Sequence, residues 1–219
     1  MQTIEYSPGR SADVYGDPSQ NTVLMWHGAQ TDSRAAMQPL AERVHGHGLA
    51  VVLADWDSHG EDGGRADLLA SATYAHKHAG GSDLVVVGWS MGGLAAAGLT
   101  LRSRELGIAV ARTVCLAGAF MVRDPVSGAP LPTELPDGSR PPFLLLHGAT
   151  DDVIPADASR EFAQTLQGNG WPAECVVLDA DHASIAGASY DAAADRYSPA
   201  SDAATLAIAD DIAARIAGS

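Results

Sequence analysis

Basic charge is scarce in this sequence: 13 Lys and Arg stand against 27 Asp and Glu, a formal net charge of -14 over 219 residues. Such a chain repels phosphate backbones and anionic lipid, which excludes nucleic acid and membrane surfaces as partners. Cysteine is scarce as well. Two cysteines make at most one bridge, so a disulfide-stapled extracellular scaffold is excluded. No window reaches the ~18 to 20 apolar residues needed to span a bilayer. The opening Met-Gln-Thr-Ile-Glu lacks the basic stretch and apolar run of a secretory signal. The expectation is a cytoplasmic protein that spans no membrane. Repeats, low-complexity blocks and linker-like changes of composition are missing too. Residues 1–219 therefore read as a single domain, below the roughly 250 to 300 residues at which one core stops growing.

What the chain does have is apolar material, 46% of its residues, arranged in short runs. Thr22 to Trp26, Ala50 to Asp55, Asp83 to Gly88, Thr113 to Gly118, Phe143 to His147 and Glu174 to Asp179 are five- or six-residue segments rich in Val and Leu. Runs apolar on both faces suit strands buried in a parallel sheet. Between or beyond them lie segments long enough for helices: Ser33 to Val44, Arg65 to His78, Met91 to Leu106, Ala156 to Gln167 and Ser201 to Ala217. In the last, Ala204, Ile208, Ile212 and Ile216 predict a buried stripe along one helix face. Ile4, Tyr6, Val14 and Tyr15 around Pro8-Gly9 predict a short antiparallel pair at the sheet edge. The fold class is α/β: a doubly wound, eight-stranded, mostly parallel sheet with helices on both faces. Cys115 and Cys175 then fall on the sixth and eighth strands, about two spacings of ~4.8 Å apart. That is too far for a bridge, so both thiols should be buried and reduced.

The chemistry is concentrated at the ends of three of these strands. Gly88-Trp89-Ser90-Met91-Gly92 joins a buried strand to a small-residue helix. A serine on so tight a turn projects above the sheet, and the residues two before and two after it have no room for a side chain. A serine hydroxyl needs a base, and the base needs a carboxylate to fix its tautomer. Two carboxylates, Asp151 and Asp152, follow the strand ending at His147, and His182 follows the strand ending at Asp179. Asp124, after the sixth strand, is a more remote acid. All of these lie at carboxyl ends of strands, where open α/β sheets gather their catalytic groups. An oxyanion requires two preorganised donors. One is the N–H of Met91; the other comes from the loop His27-Gly28-Ala29-Gln30, with Ala29 first and Gln30 as the alternative.

Taken together, His27-Gly28, Gly88 to Gly93, His147-Gly148-Ala149-Thr150-Asp151 with Pro155, and the His182 loop resemble the α/β-hydrolase family, in its esterase- and lipase-like branch. The resemblance spans nearly the whole chain. It implies a Ser90-Asp151-His182 triad and hydrolysis of an ester or related acyl bond, and its spacing favours Asp151, four residues after His147, over Asp152. Asp55-Trp56-Asp57-Ser58-His59-Gly60 is similar to the family's loop after the fourth strand, with Ser58 where glycine is common; the resemblance implies a structural role for that loop.

Between the sixth strand and Phe143 the chain is too short for the helical cap of many members, and six of its twelve prolines fall there. A stiff loop over a shallow, open site for short acyl chains is expected. Gln30, Trp89, Phe120, Met121 and Ile154 are the candidate pocket residues, although the apolar ones suit core packing as well. His45 and His47, like His76 and His78, are spaced two apart and would point to different helix faces, so no metal is expected, nor any other cofactor. The expected reactants are a small acyl substrate and water. A thioesterase or acyltransferase would use the same triad, and a ligand-binding protein with little turnover would keep the fold alone.

Overall fold

The computed structural model describes every residue except Asp32 and Ser219. Eight strands form one sheet in the order β1-β2-β4-β3-β5-β6-β7-β8. They are β1 (Gln2–Ser7), β2 (Arg10–Tyr15), β3 (Thr22–Trp26), β4 (Ala50–Ala54), β5 (Leu84–Trp89), β6 (Val110–Leu116), β7 (Phe143–Gly148) and β8 (Ala173–Leu178). β1 and β2 form the expected antiparallel edge, and all pairings from β4 to β8 are parallel. β3 and β4 are buried at every position, as strands covered on both faces must be.

The helices are α1 (Gln38–Gly46), α2 (Arg65–His78), α3 (Met91–Leu101), α4 (Ser103–Leu106), α5 (Asp157–Gly168) and α6 (Ala203–Ala217). One face of the sheet carries α1 and α6 through Leu40, Val44, Ile212 and Ile216 packed on Val23, Met25, Val51 and Val87. The other carries α2, α3 and α5, whose Leu68, Leu99 and Phe162 cover Leu24, Val86 and Phe143. The segment predicted as one helix over 91–106 divides at Arg102, whose N–H bonds to the Leu99 carbonyl, a tighter turn than the α-helical one. In α6 the buried stripe is Ala209, Ile212, Ala213 and Ile216, while Ala204 is exposed. Cys115 and Cys175 are both free and lie opposite the same residue of the intervening strand, Leu145. Cys175 is only half-buried, because β8 is the sheet's edge.

Residues 117–142 contain no helix, in keeping with the stiff loop expected there. A hairpin the sequence did not announce follows the His182 loop: β9 (Ala188–Asp191) pairs antiparallel with β10 (Arg196–Pro199). Among the described residues no helix is long and apolar enough to cross a membrane.

Chain order and strand order diverge around β3. The chain leaves β3 for β4 on one side, by way of α1, and returns to β5 on the other, by way of α2. The loops leaving β3 and β5 therefore part company above neighbouring strand ends, and a crevice opens where they do.

Candidate active site

Ser90 stands in that crevice, between β5 and α3, with φ 56° and ψ -118°. A non-glycine residue held there stores about 1 to 3 kcal/mol of strain. Its surroundings over-determine it: the Ser90 N–H donates to the Leu116 carbonyl at 2.8 Å, and its own carbonyl accepts from the N–H groups of Gly93, Leu94 and Ala119. A Cβ on Gly88 would overlap the backbone of Gly92, and one on Gly92 would overlap the carbonyls of Trp26 and His27. Those two glycines let three strands of backbone meet under the serine. Met91 is the first residue of α3, where backbone N–H groups lack intrahelical acceptors.

The loops after β7 and β8 are joined by main chain. Ala149 N–H donates to Leu178 O, and both the N–H and hydroxyl of Thr150 donate to Ala180 O. Asp151 follows, its carboxylate fully buried. One oxygen, Oδ1, accepts the N–H groups of Val153 at 2.9 Å and Ile154 at 2.8 Å. The other, Oδ2, lies 2.8 Å from His182 Nδ1 and 3.3 Å from His147 Nε2. Burial would raise this carboxyl's pKa, but hydrogen bonds from His147, His182 and the Ile154 amide outweigh it and hold the group well below the usual carboxylate range. His147 Nε2 also faces the Ile154 carbonyl at 2.9 Å, which only accepts, so that nitrogen carries a proton and Nδ1 accepts from the Ser159 hydroxyl. By the same reasoning His182 Nδ1 donates to Asp151, leaving Nε2 with a free lone pair. His182 is 4% exposed. Its carbonyl accepts the indole N–H of Trp89 at 2.8 Å, which ties the histidine loop to the residue beside Ser90.

Above β3 the Gly28 carbonyl is held by His27 Nδ1 at 2.8 Å, and His27 Nε2 lies 3.0 Å from Asp55. A Cβ on Gly28 would lie 3.3 Å from that of Ser90, so this loop runs directly beside the serine. A cavity of about 140 Å³ is lined by Gly28, Ala29, Gln30, Trp89, Ser90, Val153, His182 and Tyr197. It abuts a groove of about 860 Å³ through the shared residues Val153, His182 and Tyr197.

Of the residues singled out in the sequence, Ser90, His182, Asp151, Ala29, Gln30 and Trp89 come together here. Asp152 lines the larger groove and does not touch His182 Nδ1. Asp124 is buried elsewhere, capping the Val126 and Ser127 amides. Phe120 and Met121 are a correction. The chain turns away after β6, and Phe120 stacks on Phe162 of α5 at 4.3 Å, so both residues line a separate groove of about 440 Å³. Ile154 is another, because the Asx turn on Asp151 leaves Val153, not Ile154, in the wall.

Sequence reasoning missed Tyr197. It arrives on β10, packs edge-on against Trp89 with ring centroids 4.8 Å apart, and closes one side of the cavity. The Gln30 side chain clamps its hairpin, donating to Asp195 O and accepting from Tyr197 N–H. An aromatic residue a short distance after the candidate histidine was the only signal available. Among the described residues no group of His, Cys, Asp or Glu is arranged to hold a metal ion.

Residues 17–139, more than half of the chain and including Ser90, match the model of the serine aminopeptidase S33 family. The chain belongs to this family. The S33 match places the protein among serine hydrolases, and solved structures agree on the α/β-hydrolase fold. Esterase 2 of Thermogutta terrifontis, phosphonylated by cyclosarin, superposes with a TM-score of 0.72 at 18% identity, over 98% of this chain and 94% of that one. An esterase of Pyrobaculum calidifontis gives a TM-score of 0.71 at 17% identity, over 95% and 80%. A probable isoprenylcysteine alpha-carbonyl methylesterase of Arabidopsis thaliana is 49% identical over 39 residues, which are 18% of this chain and 8% of that protein's length.

Proposed function

We propose that this S33-family hydrolase cleaves small carboxylic esters through an acyl-enzyme on Ser90. The observation that carries the reading is the cavity shared by Ser90 and His182, with His182 Nδ1 held 2.8 Å from the buried Asp151 carboxylate. In the proposed mechanism His182 Nε2 takes the Ser90 proton as Oγ attacks the acyl carbon. The N–H groups of Ala29 and Met91 receive the negative charge that builds on the carbonyl oxygen. Collapse expels the alcohol, which takes the proton from His182. The same nitrogen then draws a proton from water as its oxygen attacks the acyl carbon; collapse breaks the bond to Ser90 Oγ, which takes that proton back from His182, and frees the acid. Asp151 stays ionised throughout, orienting the imidazole and stabilising its charged form. The small cavity beside Ser90 suits a short acyl group, and the larger groove beyond Tyr197 leaves room for the alcohol. Esterase neighbours in fold support the ester reading over other acyl transfers.

The test is Ser90→Ala assayed on p-nitrophenyl acetate. Loss of at least about 10⁴-fold in kcat is expected, with an unchanged melting curve. Turnover within about tenfold of wild type would refute the assignment.

A further inference from the structure

The loop after β4 packs along the loop after β3, and its polar contacts meet alternate residues of that loop. His27 faces Asp55; the Ala29 carbonyl accepts the Ser58 hydroxyl at 2.5 Å; the Thr31 hydroxyl donates to Asp57 at 2.9 Å. Behind this seam the Arg10 guanidinium bridges Asp55 at 3.5 Å and Asp57 at 3.2 Å, tying it to β2. Among the described residues, the seam meets the cavity through residues 28–30 alone.

Its consequence follows from the planarity of the peptide bond. In a trans peptide the C=O and the following N–H point in opposite directions. His27 holds the Gly28 carbonyl, and so fixes the direction of the Ala29 N–H. Ser58 holds the Ala29 carbonyl, and so fixes the next peptide plane. Ala29 is thereby pinned on both sides. Without the second pin the Ala29 carbonyl loses its partner, and any rotation of the Ala29–Gln30 peptide that brought this negative dipole to the cavity would oppose an oxyanion there.

We infer that Ser58 is a positioning residue of the oxyanion hole, acting through the Ala29 carbonyl on transition-state stabilisation. The inference rests on the proposed role of Ala29 and goes beyond it by naming what holds the carbonyl on the other side of that donor. It sets an expectation for size: removing a whole oxyanion donor costs about 10²- to 10³-fold in kcat, and loosening one should cost a fraction of that, about 5- to 30-fold.

The experiment compares Ser58→Ala, Ser58→Thr and Ser90→Ala with wild type on p-nitrophenyl acetate. Rates are divided by the concentration of active sites titrated with a fluorophosphonate, so that misfolded protein is not counted; for Ser90→Ala, folded protein from the melting curve replaces the titration. The expected result is a 5- to 30-fold lower kcat for Ser58→Ala, with KM within about twofold and the pH profile's midpoint unmoved. Ser58→Thr, which keeps the hydroxyl, should recover to within about threefold of wild type. A Ser58→Ala kcat within twofold of wild type, a loss confined to KM, or no recovery in Ser58→Thr would overturn the inference. If Ser90→Ala still turns over the ester, the proposed function fails instead, whatever the Ser58 variants do.

Discussion

Substituting Asn for Asp151 exchanges one carboxylate oxygen for an NH₂ group, and the surroundings decide which. Oδ1 accepts two backbone N–H groups, from Val153 and Ile154, so the amide oxygen must stay there; turned over, the NH₂ would face two donors. The NH₂ group is left facing His182 Nδ1 and His147 Nε2. His182 answers by giving up its Nδ1 proton and carrying one on Nε2, the tautomer that cannot take a proton from Ser90. His147 has no such answer, because its Nε2–H is required by the Ile154 carbonyl, and two N–H groups confront one another at about the 3.3 Å separation that now attracts. Under the proposed mechanism kcat should fall by about 10³- to 10⁴-fold, and the unmade hydrogen bond should cost about 1 to 3 kcal/mol of stability. Asp152→Asn, on the groove side, should leave kcat within about threefold.

The same variant carries a pH test of known sign. The folded pKa of Asp151 is held below its unfolded value of about 3.9, so the stability it contributes is present above about pH 4 and drains away as the pH falls through and below that point. Urea midpoints measured from pH 7 down to pH 3 should drop more steeply for wild type than for Asp151→Asn. Retention of more than a tenth of wild-type kcat by Asp151→Asn, or equal losses in the two Asp→Asn variants, would refute the argument.

Other perturbations report on other parts of the site. Gly92→Ala forces a Cβ onto the carbonyls of Trp26 and His27, neither of which is the flexible end of a side chain. We expect more than about 4 kcal/mol of destabilisation, read as loss of soluble protein or a collapsed melting temperature; a stable, active variant would contradict the close packing under Ser90. Tyr197→Ala removes the partition between the small cavity and the larger groove. The ratio of kcat/KM for p-nitrophenyl hexanoate over acetate should rise by about tenfold, the scale of a few methylene contacts, and an unchanged ratio would deny Tyr197 that role.

The parts of the molecule legible in the sequence are those where one local rule decides. Runs such as TVLMW and AVVLA have no polar face to offer solvent, and β3 and β4 are indeed buried throughout. The turn at Ser90 was legible because close backbone approach permits only glycine at positions 88 and 92. What stayed hidden depends on contacts distant in sequence. The hairpin 188–199 consists of two four-residue strands with no apolar alternation, held by the Gln30 side chain and by Tyr197 packed on Trp89. Phe120 sits just past a strand end, where a wall residue is expected, yet its partner Phe162 lies 42 residues later on another element, and that stacking leads it away from Ser90.

These differences divide the site into two kinds of structure. Ser90, Asp151 and His182 are brought together by main chain: the backbone crossing at Gly88 and Gly92, and the bonds from Ala149 and Thr150 to the β8 loop. Gly148 belongs to the same set, since a Cβ there would overlap the Ala180 carbonyl. None of those contacts involves the hairpin 188–199, and the loop 117–142 reaches the serine through the Ala119 N–H on the Ser90 carbonyl. Tyr197, which packs on Trp89, and Val153, which is more than half exposed, shape the cavity at its rim. Changes in the rim therefore leave the spacing of serine, acid and histidine in place, while changes at the three glycines disturb that spacing before they alter any substrate contact. Ser58 falls between the two kinds, a side chain that steers main chain, and this is why its loss should appear in kcat while KM stays nearly still.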